Sequence, residues 1–330
     1  MEITRSLKRF SKSKSMSLAI VIIIVVALFY VINPNYLSVD NVRGIMNSMS
    51  LTGIIGVGTA LLLMGGGIDL AAGAEGCFGA IVVAVLLGAG LPWPIALLIG
   101  LVIGMCTGLI NSFFANKLNF MPFISTLGMA SVYTGFALLL TMSVPIPISN
   151  ESFWTLAEYS VFGFFPMSFV IMICIMVIYA FVLNKTRFGR SILMCGGNSS
   201  AARLAGLSPK KTTTILYMNI GMLSVFAGTL LASRMHSASH EALSSSAIDA
   251  ITAAVLGGVS FMGGSGSILG LFLGALLLNA FSNGLVVIGM TPYWALVMQG
   301  LVLIIALSLD YYNTKARDAS LKKARLSETI

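Results

Sequence analysis

Long apolar runs, cut by short polar or glycine-rich interruptions, make up nearly the whole chain. A helix needs about 20 apolar residues to cross the hydrocarbon of a bilayer, fewer where it is broken or buried. By that measure the pattern predicts ten spans, at roughly 16–33, 48–66, 72–90, 94–115, 122–143, 166–184, 212–233, 247–261, 267–288 and 292–310. The eighth is short and the second is glycine-rich. The expected fold class is all-α: a polytopic membrane protein of about ten transmembrane helices, several of them broken at glycines. The polar intervals divide the chain into a basic tail (1–15), a transmembrane domain (16–310) with a polar loop at 185–211, and a second tail (311–330).

Composition agrees with the pattern. Hydrophobic residues form 57% of the chain and charged residues 9%, where a soluble domain carries about a quarter charged. The net charge of +8 does not point to nucleic acid, because of where the charge lies. Arg5, Lys8, Arg9, Lys12 and Lys14 precede the first span, and Lys117 follows the fourth. Lys185, Arg187, Arg190, Arg203, Lys210 and Lys211 follow the sixth with no acid among them, and Lys315, Arg317, Lys322, Lys323 and Arg325 follow the tenth. With ten spans these segments, 17 of the 19 basic residues, fall on one side, while the loop at 144–165 holds Glu151, Glu158 and no base on the other. Cytoplasmic loops collect Lys and Arg, so both termini are expected in the cytoplasm. Arg43 and Arg234 are the exceptions, with Glu241 the expected partner of Arg234. The first span is long for a signal sequence and lacks a following cleavage pattern, so it reads as uncleaved. Cys77, Cys106, Cys174 and Cys195 have no metal-ligand spacing; no disulfide, metal or bound cofactor is expected.

Glycines recur at helical spacing. Gly100, Gly104 and Gly108 share one face, as do Gly270 and Gly274. Small residues four apart let helices approach closely in lipid, so tight packing is expected there rather than solute contact. The two rows form a faint echo, each followed by an asparagine, Asn111 and Asn279. Three further glycines, 65–67, interrupt the chain just before Asp69. Backbone freed at membrane depth must be satisfied by protein or by a water-filled cavity, and an acid there is a candidate functional residue. Asp69 has two readings, a cap for the third span or a pathway group. Glu75 lies inside that span with no base nearby in sequence, either at the lipid–water boundary or on a cavity. Asp249 closes Ser246-Ala-Ile-Asp249, close to a capping box, and is otherwise a pathway candidate. His236 and His240, beside Glu241, suit a solvated outer loop better than a metal site.

The loop at 185–211 carries the most explicit local signal. Asn198 or Ser199 can cap a helix of about seven residues, Gly206 supplies a left-handed stop, and Ser208-Pro209 opens the next span. A helix this short is unstable alone in water, so it must dock on something, and its face is mostly alanine. The dipeptide Gly-Lys occurs nowhere, so the chain has no Walker A phosphate loop. No nucleophile–base set or serial acid relay appears either. Energy for work on a solute must therefore come from a partner, unless Asp69, Glu75 or Asp249 couples to an ion; an ion-coupled secondary transporter using Asp69 and Glu75 is the alternative.

Several blocks, in order, resemble one family. They are Gly66-Gly-Ile-Asp-Leu70, Pro122-Phe-Ile-Ser-Thr-Leu-Gly128, Thr186-Arg-Phe-Gly-Arg190, and Gly196-Gly-Asn-Ser-Ser-Ala-Ala-Arg203 with Ala205-Gly206. Ile248-Asp-Ala-Ile251 with Val255-Leu-Gly-Gly258, Gly263-Gly-Ser-Gly266 and Asn283-Gly284 complete the series. Over about residues 20–310 the chain resembles the permease subunit of bacterial ABC importers of the ribose, xylose, arabinose and galactose type, including autoinducer-2 permeases. The resemblance implies a small sugar as solute and an inner-membrane location. It also implies a cytoplasmic ATPase subunit that holds the ATP, a second permease chain (identical or related), and a periplasmic or lipid-anchored sugar-binding protein; membrane lipid, not nucleic acid, surrounds it. It makes Asn198, Ala201, Ala202, Arg203, Leu204 and Gly206 the coupling helix against the ATPase; Asp69, Glu75, Asp249 and Asn283 stand beside it as candidate pathway residues. The chain departs from the family at Ala71-Ala-Gly-Ala74 and at Ser245-Ser-Ala247, which bears on the substrate rather than the class.

Overall fold

A computed structural model describes residues 14–291 and scattered positions from 293 to 308. The N-terminal tail before Lys14, the C-terminal tail and much of the tenth predicted span lie outside the described residues. The described chain is helical: α1 (Lys14–Ile32), α2 (Val39–Met64), α3 (Ala72–Gly88), α4 (Trp93–Ser112), α5 (Pro122–Thr141), α6 (Glu151–Glu158), α7 (Met167–Lys185), α8 (Arg187–Gly197), α9 (Ser199–Leu204), α10 (Pro209–Met235), α11 (Ser246–Leu256) and α12 (Ile268–Val287). A 3-10 turn, Pro34–Leu37, joins α1 to α2, and a π turn, Phe113–Lys117, continues α4.

Six of these, counting α4 with its π turn, are long and apolar enough to cross a membrane. Nine of the ten predicted spans fall on helices. Their ends move where capping overrides hydropathy: α2 starts at Val39, not near 48, because the Ser38 hydroxyl accepts from the Asn41 N–H and polar residues then fill its first turns. α11 has only 11 residues and is too short to cross; it stops at Gly257-Gly258, where Gly258 takes φ +84°. The remaining breaks are as the glycines predict, with α2 ending at Gly65 and Gly66 at φ +83°.

Helices α2 and α10 are the centre of the bundle. The most apolar 18 residues of α2 are 83% buried within the chain, against 17% for α5 and 22% for α7, whose outer faces carry exposed Phe, Leu and Ile. Apolar surface on those outer helices costs nothing in lipid, so the association of the central ones depends on packing. The glycine rows supply it. Gly104 abuts the backbone of Gly221 in α10 and Gly108 that of Tyr217 in α10, while Gly270 and Gly274 abut Gly257 and Ala253. Both rows thus pack tightly, as expected, although Gly100 meets the Val83 side chain rather than backbone.

Two short antiparallel pairs tie the loops at one end: β1 (Ile146–Pro147) with β4 (Ser237–Ala238), and β2 (Ser160–Val161) with β3 (Phe165–Pro166). There α6 caps α10, with Phe153 buried and the Ser233 hydroxyl donating to Phe153 O at 2.7 Å.

Candidate functional site

The break between α2 and α3 is braced at two backbone groups by side chains from other helices. The Tyr217 hydroxyl of α10 donates to Ile68 O at 2.9 Å. The Leu70 N–H donates to Thr126 Oγ1 of α5 at 3.1 Å. Asp69 Oδ1 accepts from the Ala71 N–H at 2.8 Å. Of the two readings of Asp69 the capping one is close to what is seen, although the bond forms an Asx turn at the helix entrance, from two residues before the cap, and Ala71 holds the cap position itself. Backbone that has left the helix therefore keeps its partners, as a low-dielectric setting requires.

Asp69 and Glu75 come together through Asn111 of α4. One amide nitrogen donates to Asp69 Oδ2 at 3.0 Å and to Glu75 Oε1 at 2.9 Å. The Asn111 carbonyl oxygen accepts from the Tyr133 hydroxyl of α5 at 3.0 Å. Asp69 is 1% exposed and Glu75 0%, and Glu75 Oε2 has no hydrogen-bond partner. Among the described residues no cation pairs with either carboxyl. Glu75 is thus neither at a lipid–water boundary nor open to a cavity; it is enclosed between α3, α4 and α5. The amide joins three elements at one point and fixes where Asp69 sits. Nothing in the sequence marks Asn111, Thr126, Tyr133 or Tyr217 as site residues. Asn111 stood out as a polar residue closing a glycine row, whereas its counterpart Asn279 only donates to Ala275 O of its own helix, so the echo does not reach the chemistry.

Loop 185–211 folds as its caps direct. Asn198 Oδ1 accepts from the Ser200 and Ala201 N–H groups at 3.1 and 2.9 Å, and the helix that follows, α9, has six residues. Gly206 takes φ +79°, and the Leu207 N–H reaches back to Ala202 O at 2.9 Å, closing the helix in a Schellman pattern. Ala202 is 1% exposed, so it seats the helix on its own chain rather than offering itself to another. Leu204, by contrast, is 92% exposed, and Asn198, Ala201, Arg203 and Gly206 also face outward.

The end of α8 meets both glycine breaks. The Gly264 N–H, in the break after α11, donates to Met64 O, the last residue of α2, at 2.9 Å. Gly196 lies over that bond: a Cβ there would collide with Met64 O and Gly264 N. Gly263 and Gly264, at φ +85° and +76°, pack on Gly196 and Gly197. Three segments far apart in sequence thus share one junction, whose close approach only glycine permits. Ile68 and Leu70 pack in turn on Ile251 and Val255 of α11.

The remaining candidates lie outside this network. The capping box expected at Ser246–Asp249 does not form. Ser245 precedes the helix without a side-chain cap, and its hydroxyl donates to Asp249 Oδ2 at 3.0 Å, four residues on. Asn283 pairs its amide reciprocally with Asn41, at 2.8 and 3.0 Å, clasping α12 to α2. Arg234 does not pair with Glu241, whose partner is His240 at 3.4 Å, while His236 stacks on Trp154 and meets Glu158 at 2.7 Å. No cluster among the described residues could hold a metal.

Membrane-length helices broken at glycines, and a short capped helix held outward on an acid-free basic loop, define the class: a multi-pass membrane component of a transport system. The chain belongs to the family described as branched-chain amino acid transport system / permease component, which it matches over residues 41–307. It is 34% identical over 287 residues to the ribose import permease protein RbsC of Bacillus subtilis (strain 168), covering 86% of this chain and 89% of that one. It is 33% identical over 296 residues to the galactose/methyl galactoside import permease protein MglC of Haemophilus influenzae, with 84% and 88% covered. It is 30% identical over 294 residues to the probable ABC transporter permease protein YphD of Escherichia coli (strain K12), with 88% of each covered.

Proposed function

We propose that the chain is the membrane-spanning subunit of an ATP-binding-cassette importer for a small sugar of the ribose or galactose kind. The likeness to ribose and galactose import permeases over most of their length supports the solute class. In this reading the chain sits in the inner membrane with both termini in the cytoplasm, as its charge asymmetry favours. A separate ATPase subunit holds the ATP, a second permease chain completes the pathway, and a sugar-binding protein delivers the solute.

The observation that carries the reading is the posture of α9. It is seated by Ala202 and held by two caps, and it turns Leu204 fully outward. Six residues cannot stay helical on propensity alone, so the chain invests capping and burial in presenting this surface. A docked ATPase pushing on Leu204, Ala201, Arg203 and Gly206 would move α8, and Gly196 would carry that motion to the ends of α2 and α11. Swinging a two-state pathway from 1:99 to 99:1 takes about 5.5 kcal/mol of bias, which only a rigid connection delivers. The Asp69–Asn111–Glu75 bridge then holds the break in shape rather than touching the sugar. The test is Leu204→Asp in the assembled importer. Sugar uptake should fall while the permease still folds and inserts; unchanged uptake and unchanged ATP hydrolysis would refute the docking role of α9.

A further inference from the structure

One cavity lies away from the network above. It sits where the π turn at the end of α4 meets the start of α10, at the end of the bundle that carries α9. It is an open groove rather than an enclosed hole, with a volume of about 520 Å³, and Asn116, Lys117, Lys210, Lys211, Thr214 and Ile215 line it. Its floor is stitched shut: Asn116 Nδ2 reaches Ser112 Oγ, Thr214 Oγ1 and Lys210 O at 3.0, 3.0 and 3.3 Å, and Thr213 Oγ1 donates to Asn116 Oδ1 at 3.1 Å. The lysines stand around a rigid base.

Among the described residues those charges have no acid to answer them. The chain contains no Asp or Glu from 76 to 150 or from 159 to 240, and among the described residues none of the three lysines is in an ion pair. Lys210 Nζ spends one proton on Asn119 Oδ1 at 3.0 Å and keeps two. Lys117 lies over the Phe113 ring at 5.3 Å. Beside this positive rim, Phe113, Phe120, Met121 and Ile215 are exposed and apolar. A cavity that is cationic at its mouth and greasy alongside matches a molecule with an anionic head and a hydrocarbon tail. Basic pockets between spanning helices bind such headgroups, each lysine adding a comparable increment of attraction.

We propose that this cavity binds the phosphate headgroup of an anionic phospholipid, whose acyl chains lie along Phe113, Phe120 and Ile215. The site would tie the start of α10, and so the root of α9, to the membrane surface. The inference rests on the multi-pass membrane class alone and stands or falls independently of the solute.

The test uses the full chain purified in detergent, stripped of lipid, and offered equal phosphatidylglycerol and phosphatidylcholine of the same acyl chains. Retained lipid is counted by native mass spectrometry. Wild type should retain phosphatidylglycerol preferentially. Lys117→Gln with Lys211→Gln should weaken that preference about fivefold per lysine removed, roughly thirtyfold together, while Lys117→Arg with Lys211→Arg should preserve it. Lys185→Gln with Arg187→Gln, basic but outside the cavity, should leave it unchanged. Equal retention of both lipids by wild type, or full preference in the glutamine pair, would overturn the proposal. Displacement of the lipid by millimolar inorganic phosphate would also overturn it, because a free anion would then be the ligand. If the glutamine pair fails to fold, Lys211→Gln alone is read, with about a fivefold loss expected and none contradicting.

Discussion

Gly196 and Gly197 are neighbours at the end of α8, and the structure assigns them opposite tolerances. A methyl group on Gly196 would run into Met64 O and Gly264 N, two backbone atoms that already bond each other. Neither atom can swing aside as a side chain could, so one of the three segments must move. Overpacking of this kind costs about 1–3 kcal/mol, and loss of the Gly264–Met64 bond adds about 1 kcal/mol. Replacing a helical glycine by alanine returns about 1 kcal/mol. The balance for Gly196→Ala is a destabilisation of about 1–3 kcal/mol. A methyl on Gly197 meets only Gly264 Cα, at 3.6 Å, an ordinary contact, so Gly197→Ala should be neutral or slightly stabilising. Thermal unfolding of the two purified variants, at one detergent concentration and one heating rate, compares them directly. Gly196→Ala should melt below wild type and Gly197→Ala at or above it. Equal behaviour would refute the tight junction, and with it the route by which α9 is argued to reach the broken helices.

Asn111→Leu should be among the most damaging substitutions, because it takes one partner from Asp69 and from the Tyr133 hydroxyl, which keep the Ala71 N–H and Thr107 O, and leaves the enclosed Glu75 with none. A loss of about 3–5 kcal/mol is expected, and an unchanged melting profile would contradict the bridge. Asn198→Ala should cost α9 about 1 kcal/mol, read as faster amide exchange over Ser199–Leu204; Asn198→Asp should restore protection, and equal exchange in all three would deny the cap. Asn41→Ala and Asn283→Ala should be non-additive by about 1 kcal/mol in a double-mutant cycle, since each destroys the same reciprocal pair. Additive losses would mean that the amide pair contributes nothing of its own.

Most of the helices were legible because hydropathy and capping agree along this chain. The Ser208-Pro209 start, the Asn198 and Gly206 boundaries of α9 and the Gly65–Gly67 stop all rest on local chemistry, which neighbouring residues determine by themselves. Where the two signals disagreed, capping prevailed, as at Ser38. Hydropathy overextends the short α11, because its apolar run continues through Gly257-Gly258, which hydropathy does not penalise and backbone geometry does. The site was legible in its parts and not in its assembly. Asp69 and Glu75 were visible as acids in an apolar chain, but nothing near them in sequence announces that Asn111, 36 residues beyond Glu75, joins them. The same holds for Gly196, Met64 and Gly264: the glycine-rich breaks are plain in the sequence, but that the end of α8 meets both of them is a product of the bundle. Asp249 and Asn283 are visible in the sequence as pathway candidates, but their bonds to Ser245 and Asn41 are not.

On the proposed function, this permease moves a sugar using energy supplied from another chain. The most direct measurement is uptake of labelled ribose and galactose into liposomes holding the permease, with and without its ATPase subunit, the sugar-binding protein being present throughout. The account predicts uptake of one of these sugars that requires both the ATPase and enclosed ATP, and is indifferent to proton or sodium gradients. Uptake by the permease alone, driven by an ion gradient and abolished by Glu75→Gln, would contradict it.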